Sequence, residues 1–188
     1  MTNYYKTVPG AQLTPAERDF IFSRARGIEE DLSSKFAMCQ IGVLWGASLW
    51  CIRQGAPHSL LVGVDIDLRR THKSTSDRIQ HEDELWDTAL IEAESASYGH
   101  IFEQPLSLLM IDGDHHYVQV QADIDAWVPH VVKGGIVIFH DYSPTQRNLK
   151  QFPELEGVKR AVDEYFENDK DWERIEGPDS IVAFRRLR

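Results

Sequence analysis

Two short runs of this chain carry residue types that can do chemistry together: Asp112-Gly113-Asp114-His115-His116 and His140-Asp141. Each closes an apolar stretch, Leu106-Ser107-Leu108-Leu109-Met110-Ile111 before the first and Ile136-Val137-Ile138-Phe139 before the second. Carboxylates such as Asp112 and Asp141 can share a divalent cation, which acts as a Lewis acid on a substrate oxygen and lowers its pKa. An imidazole such as His115 titrates near neutrality and suits general-base work. Asp114 has a plainer use, because aspartate is a preferred helix N-cap. His116, Tyr117 and His130 read as structural.

These residues act together only if the chain sets the two runs side by side. The apolar stretches read as buried strands. Between them Tyr117, Val120, Ile124, Trp127 and Val131 recur at helical spacing, a sheet-packing helix whose other side puts Gln119, Gln121 and Asp123 in water. Lys133-Gly134-Gly135 is expected to end that helix. The unit is βαβ, so its strands are parallel and their carboxyl ends share one edge. Asp112 and Asp141, 29 residues apart in the chain, would then stand about 4.8 Å apart sideways. Ligands of open α/β sheets bind beyond that edge.

The preceding chain supplies neighbours for the edge. Residues 1–13 read as an irregular arm, and Thr14-Pro15-Ala16-Glu17 as a capping box with proline at the first helical position. Ile21, Ala25, Ile28 and Leu32 carry that helix, which covers one face of the sheet or roofs a substrate pocket. Phe36–Ile41 is the first strand; it runs into Gly42-Val43-Leu44-Trp45-Gly46 and then an apolar helix through Leu49, Trp50 and Ile52. Glycine lets backbone approach a small ligand, and a helix start offers free amides; a plain tight turn would look the same. The second strand, Ser59–Val64, ends at Asp65, 23 residues beyond Gly42. That is where nucleoside-binding folds grip a ribose diol. The full dinucleotide fingerprint of three glycines is absent, which argues against NAD or FAD.

Residues 68–105 are less legible. Arg78-Ile79-Gln80 suits a short third strand ending near Glu82-Asp83, and Trp86 to Ser97 looks helical. Glu82 and Asp83 are surface charge or, in the functional reading, Asp83 lies beside an adenine edge. After Tyr142, Leu155, Val158, Ala161, Val162, Tyr165 and Phe166 form an amphipathic helix. Trp172–Ile175 and Ser180–Phe184, joined by Glu176-Gly177-Pro178-Asp179, form a hairpin that makes one sheet edge antiparallel.

At 188 residues the chain fits one domain with one sizeable core. A formal net charge of −10 argues against a nucleic-acid partner. No apolar run approaches the roughly 18 residues a membrane helix needs, and the first residues lack a signal-peptide core. Cys39 and Cys51 read as reduced, buried thiols. The expected protein is soluble and cytoplasmic, without membrane or nucleic-acid partners.

The Gly42…Gly46 turn, Asp112-Gly113-Asp114-His115 at one strand tip and Gly134-Gly135 before the next together resemble class I S-adenosylmethionine-dependent methyltransferases. Within them the chain is similar to the compact subfamily of macrolide-sugar O-methyltransferases and cephalosporin-hydroxylase-like proteins, from about Gln40 to Tyr142. The resemblance implies a Rossmann-like three-layer αβα sandwich, its mostly parallel seven-stranded sheet in order 3-2-1-4-5-7-6 with strand 7 antiparallel. It implies S-adenosyl-L-methionine as cofactor, with Gly42 and Gly46 at its methionine part, Asp65 on its ribose, and Gln40, Asp83 and Asp112 also in the cofactor site. Gln40 stands where the motif usually has an acid. Asp112 and Asp141 would hold a divalent cation (Mg2+ or Mn2+), with His140 where metal-dependent relatives carry an acid; imidazole ligates Mn, Fe or Zn better than Mg. His115 would be the general base, acting with Asp112. The implied activity is O-methylation of a small hydroxylated acceptor, and the reading leaves room for a homo-oligomer. Two alternatives stay open: cofactor binding without catalysis, and metal-dependent chemistry of another type on the same carboxylates.

Overall fold

The computed structural model describes residues 12–32, 35–69 and 88–188. Its elements are α1 (Pro15–Leu32), β1 (Ala37–Ile41), α2 (Ala47–Gly55), β2 (Leu61–Asp65), β3 (Thr88–Glu92), α3 (Ser95–Gly99), β4 (Leu106–Ile111), α4 (Tyr117–Trp127), β5 (Val131–Phe139), α5 (Gln146–Gln151), α6 (Glu156–Phe166), β6 (Trp172–Glu176) and β7 (Val182–Arg186). The seven strands form one sheet in the order β3-β2-β1-β4-β5-β7-β6. Pairings from β3 to β5 are parallel, and β7 runs antiparallel to both β5 and β6. The order and the antiparallel seventh strand are those expected.

The central strands are apolar on both faces because helices cover both, the pattern of parallel sheets. Alternate residues part cleanly. Cys39, Ile41, Leu109, Ile111, Val137 and Phe139 pack with Val120, Ile124 and Trp127 of α4 and with Val158, Val162 and Phe166 of α6. Met38, Leu61, Leu108, Met110, Ile136 and Ile138 pack with Ile21, Ala25 and Ile28 of α1 and with Leu49 and Ile52 of α2. Helix α1 is thus a sheet cover. Its capping box is formed: Thr14 N–H donates to Glu17 Oε2 at 2.8 Å and Glu17 N–H to Thr14 Oγ1 at 3.2 Å. Cys39 and Cys51 are buried and free. No helix among the described residues is long and apolar enough to cross a membrane.

Three local expectations are corrected. The stretch from Thr88 to Glu92, rich in helix formers, is strand β3, because pairing with β2 from Leu61↔Thr88 to Asp65↔Glu92 outweighs local preference. The helix before Lys133 stops at Trp127: Pro129 follows in a 3₁₀ turn, and Val131 already begins β5. Gly134 and Gly135 lie inside that strand, where the β4–β5 register jumps from Leu106↔Val131 to Leu108↔Ile136. Gly134, at φ 84, absorbs the bulge. Asp123 does not face water; it is 3% exposed. The expected arm and the suggested strand at Arg78–Gln80 fall on residues outside those described, apart from Gln12 and Leu13 at the arm's end.

Candidate active site

Register alone builds the site's front row. Val64 pairs with Ile41, Ile41 with Ile111, and Ile111 with Phe139. The residues one step beyond, Asp65, Gly42, Asp112 and His140, therefore stand next to one another at the carboxyl edge. Backbone bonds continue the ladder past the strand ends: Gly42 N–H to Val64 O and Asp112 N–H to Ile41 O, each 2.9 Å, and His140 N–H to Ile111 O at 3.3 Å. Asp141 then takes φ 55, a left-handed conformation that aspartate tolerates better than most residues. Continued strand geometry would send Asp141 to the opposite face from His140. The turn instead brings Asp141 Oδ2 within 3.2 Å of His140 Nδ1.

His115 enters from the loop between β4 and α4, and its Nε2 lies 3.2 Å from Asp141 Oδ2. That hydrogen bond raises the His115 pKa above its ordinary value, with burial opposing. Burial alone would raise Asp141, but the hydrogen bonds from His115 and His140 outweigh it and hold the carboxylate below its usual range. His140 is 7% exposed, with Nδ1 3.0 Å from Asp112 Oδ1 and Nε2 3.6 Å from Glu17 Oε1. Burial opposes its protonation, yet the Asp112 charge and the close contacts with Asp112, Asp141 and Glu17 push its pKa far upward. Glu17 was legible only as a helix cap. In the fold it also accepts hydrogen bonds from Ser180 N (3.1 Å) and Ser180 Oγ (2.6 Å), so α1, the β6–β7 turn and the β5 tip converge on it. Against the cost of burial, bonds to His140, Ser180 and Thr14 lower its pKa to about 2.

The glycine turn forms the opposite wall. Gly42 has φ 76, and a Cβ there would sit 2.1 Å from the Asp112 carbonyl oxygen, so only glycine fits between the β1 and β4 tips. Gly46, also at φ 76, precedes α2. Asp65 Oδ2 accepts from Val43 N (2.8 Å) and Leu44 N (2.9 Å), while Oδ1 accepts from Asp67 N (2.9 Å). Its carboxylate thus grips the glycine loop while lining the cleft. Gln40 lies beneath that loop and outside the cleft lining: its Nε2 donates to Gly42 O at 2.8 Å and to Ser48 Oγ, and its buried Oε1 has no partner. Asp83 lies outside the described residues.

Between these walls is a cleft of about 420 Å³, within the range of small-molecule sites. Its lining includes six carboxylates, Asp65, Glu94, Asp112, Asp114, Asp123 and Asp141, and among the described residues no lysine or arginine. Glu94 and Asp123 join the site only in the fold. Glu94 had the signal of a helix cap, and it accepts from Ala96 N and Ser97 N at the start of α3. Asp123 had none, since it becomes buried only when α3 brings Ser95 Oγ onto its Oδ1.

Burial raises the Asp123 pKa to about 6; the Ser95 bond opposes this, and the charges of Glu94 and Asp114 add to it. A folded pKa above the unfolded value favours the protonated side chain in the fold. The cost of ionising it therefore builds as pH rises from 3.8 toward 6 and is complete above that. Asp123→Asn should gain stability relative to the parent by about 2 kcal/mol between pH 4 and pH 7.5. Urea midpoints at the two pH values measure this; a stability difference that does not change with pH would refute it.

A family model described as a methyltransferase domain matches residues 39–142. The chain belongs to this family. The expected class I S-adenosylmethionine-dependent methyltransferase assignment and its fold both hold. Among solved structures, the O-methyltransferase NovP superposes with TM-score 0.72 at 18% identity over 95% of this chain and 82% of its own. TomG of Streptomyces achromogenes, an O-methyltransferase of tomaymycin synthesis in complex with SAM, gives 0.72 at 13% identity over 96% and 83%. An SAH-bound methyltransferase of Podospora anserina gives 0.71 at 12% over 94% and 80%.

The residues of this methyltransferase fit its cofactor, since a sulfonium cation suits a cleft lined by six carboxylates. A divalent cation fits poorly. Asp112, His115 and Asp141 bring one donor atom each within 4.8 Å of one another. Yet His140 Nδ1 already faces Asp112 Oδ1 and Asp141 Oδ2, and His115 Nε2 shares the latter oxygen.

Proposed function

We propose that this methyltransferase moves a methyl group from S-adenosyl-L-methionine to a hydroxyl of a small acceptor. The observation that carries the reading is the cleft lining: six carboxylates with no lysine or arginine among the described residues repel a di- or triphosphate and attract a sulfonium. The solved O-methyltransferases that share the fold support oxygen as the acceptor atom. Bound there, the cofactor supplies an electrophilic methyl group. The chain's own residues do the rest.

His115 directs Nε2–H at Asp141, which leaves the lone pair on Nδ1 to take the acceptor's proton. Asp141 orients the ring and stabilises the imidazolium that forms. Asp112, at the neighbouring strand tip, lines the same cleft, and Gly42 lets the β1 tip pack directly against its backbone. Asp65 holds the loop, with a remaining lone pair open to a ribose hydroxyl. Positioning of acceptor and methyl group supplies several kcal/mol of the barrier reduction. The implied Mg2+ or Mn2+ has no part in this reading.

Calorimetric titration with S-adenosylmethionine and S-adenosylhomocysteine should show one-to-one binding at micromolar affinity, on the order of −8 kcal/mol. Mass analysis of small phenols, polyols and sugars incubated with enzyme and cofactor should show a gain of one methyl group. Absence of binding to either compound would overturn the reading.

A further inference from the structure

We propose that the His140 side chain does the work of the divalent cation, a resident imidazolium wedged among Asp112, Asp141 and Glu17 that makes this site independent of metal. The proposal rests on the methyltransferase reading. It begins from geometry. His140 is buried, its Nδ1 lies 3.0 Å from Asp112 Oδ1 and 3.2 Å from Asp141 Oδ2, and its Nε2 lies 3.6 Å from Glu17 Oε1, a charge contact beyond hydrogen-bond distance, with no hydrogen-bond partner among the described residues. Ionised carboxylates only accept hydrogen bonds. Nδ1 between two carboxylate oxygens can only donate, and a third carboxylate oxygen facing Nε2 favours a proton there over a lone pair, which is the imidazolium form.

Charge bookkeeping gives the same answer. An acid at position 140 together with a divalent cation would carry a net charge of one positive unit beside Asp112 and Asp141. An imidazolium carries that same unit alone. The two carboxylates are thus neutralised to the same degree, and the field felt by an acceptor oxygen keeps its sign.

Space argues likewise. A metal binds carboxylate oxygen at about 2.0–2.2 Å, so it would have to enter the angle between Asp112 and Asp141 that His140 Nδ1–H fills. It would also sit against a fixed positive charge. Glu17 keeps the ring in place. Its Oε1 is anchored by Ser180 N and Oγ, and its Oε2 by Thr14 N, so the carboxylate that faces Nε2 belongs to a rigid helix cap.

Mn2+ titration followed by electron paramagnetic resonance tests this on the purified full chain, without any need for turnover. The wild-type protein should leave the free Mn2+ signal unchanged at stoichiometric concentrations, and cofactor binding by calorimetry should be indifferent to a chelator. His140→Glu restores an acid and removes the cation, and should bind Mn2+ at least about tenfold more tightly than wild type. Stoichiometric Mn2+ binding by the wild type would overturn the proposal, and so would a folded His140→Glu that binds no better. The wild-type titration decides the matter even if the variant does not fold. A failure of S-adenosylmethionine to bind, by contrast, would strike the methyltransferase reading and leave the Mn2+ result standing.

Discussion

His115→Gln should lower kcat by about 10²–10⁴-fold, the range spanned by a single general acid or base, while leaving affinity for S-adenosylhomocysteine within about threefold, under 1 kcal/mol. The split follows from position. His115 sits on the β4–α4 loop bonded to Asp141, whereas Asp65 grips the glycine loop that follows β1. Glutamine keeps a polar head that can still donate to Asp141 but cannot take a proton near neutrality. Single-turnover kinetics with an accepted substrate, paired with calorimetry, separates the two effects. Equal losses in binding and turnover would assign His115 to the cofactor site instead, and unchanged turnover would remove it from the chemistry.

The parts of this site that lie on strand tips were legible in the sequence, and the parts held by tertiary packing were not. Gly42, Asp65, Asp112 and His140 each follow an apolar run, and a parallel sheet with even register can only place such residues in a row. The roles within that row were harder. Asp65 was read as a ribose acid, and its carboxylate also fastens the loop amides of Val43 and Leu44, a contact across strands that residue spacing does not encode. Gln40, two residues before Gly42 on β1 and paired with Gly63 and Met110, supports the loop from below. Glu17 announced itself as a helix cap because the capping box is local. Its bonds to Ser180, 163 residues away, belong to the tertiary fold. Asp123 read as solvated because one helix face alternates with another, and only α3 made that face an interior one. The strand from Thr88 to Glu92 carried helix formers, and its pairing with β2 decided otherwise.

Gly42→Ala should be the most damaging single methyl addition at the site. Two independent costs coincide. Alanine at φ 76 is strained by about 1–2 kcal/mol. Its Cβ would also lie 2.1 Å from Asp112 O, 2.6 Å from Asp112 C and 2.7 Å from Gly113 Cα, all backbone atoms that no rotamer change can move aside. Relief requires separating the β1 and β4 tips, and overpacking of that kind costs about 1–3 kcal/mol more. Together these lower Tm by roughly 4–20 °C for a chain of this size. Because the displaced backbone carries Asp112, cofactor binding should fall below detection even in the folded fraction. Gly27→Ala is the matched control. No atom lies within 4 Å of a Cβ there, and inside α1 the change should be neutral or stabilise by up to about 1 kcal/mol. Thermal melts and calorimetry on the pair separate a local clash from a general intolerance of glycine replacement. Equal melting temperatures would mean that the two strand tips part more readily than their shared hydrogen bonds imply.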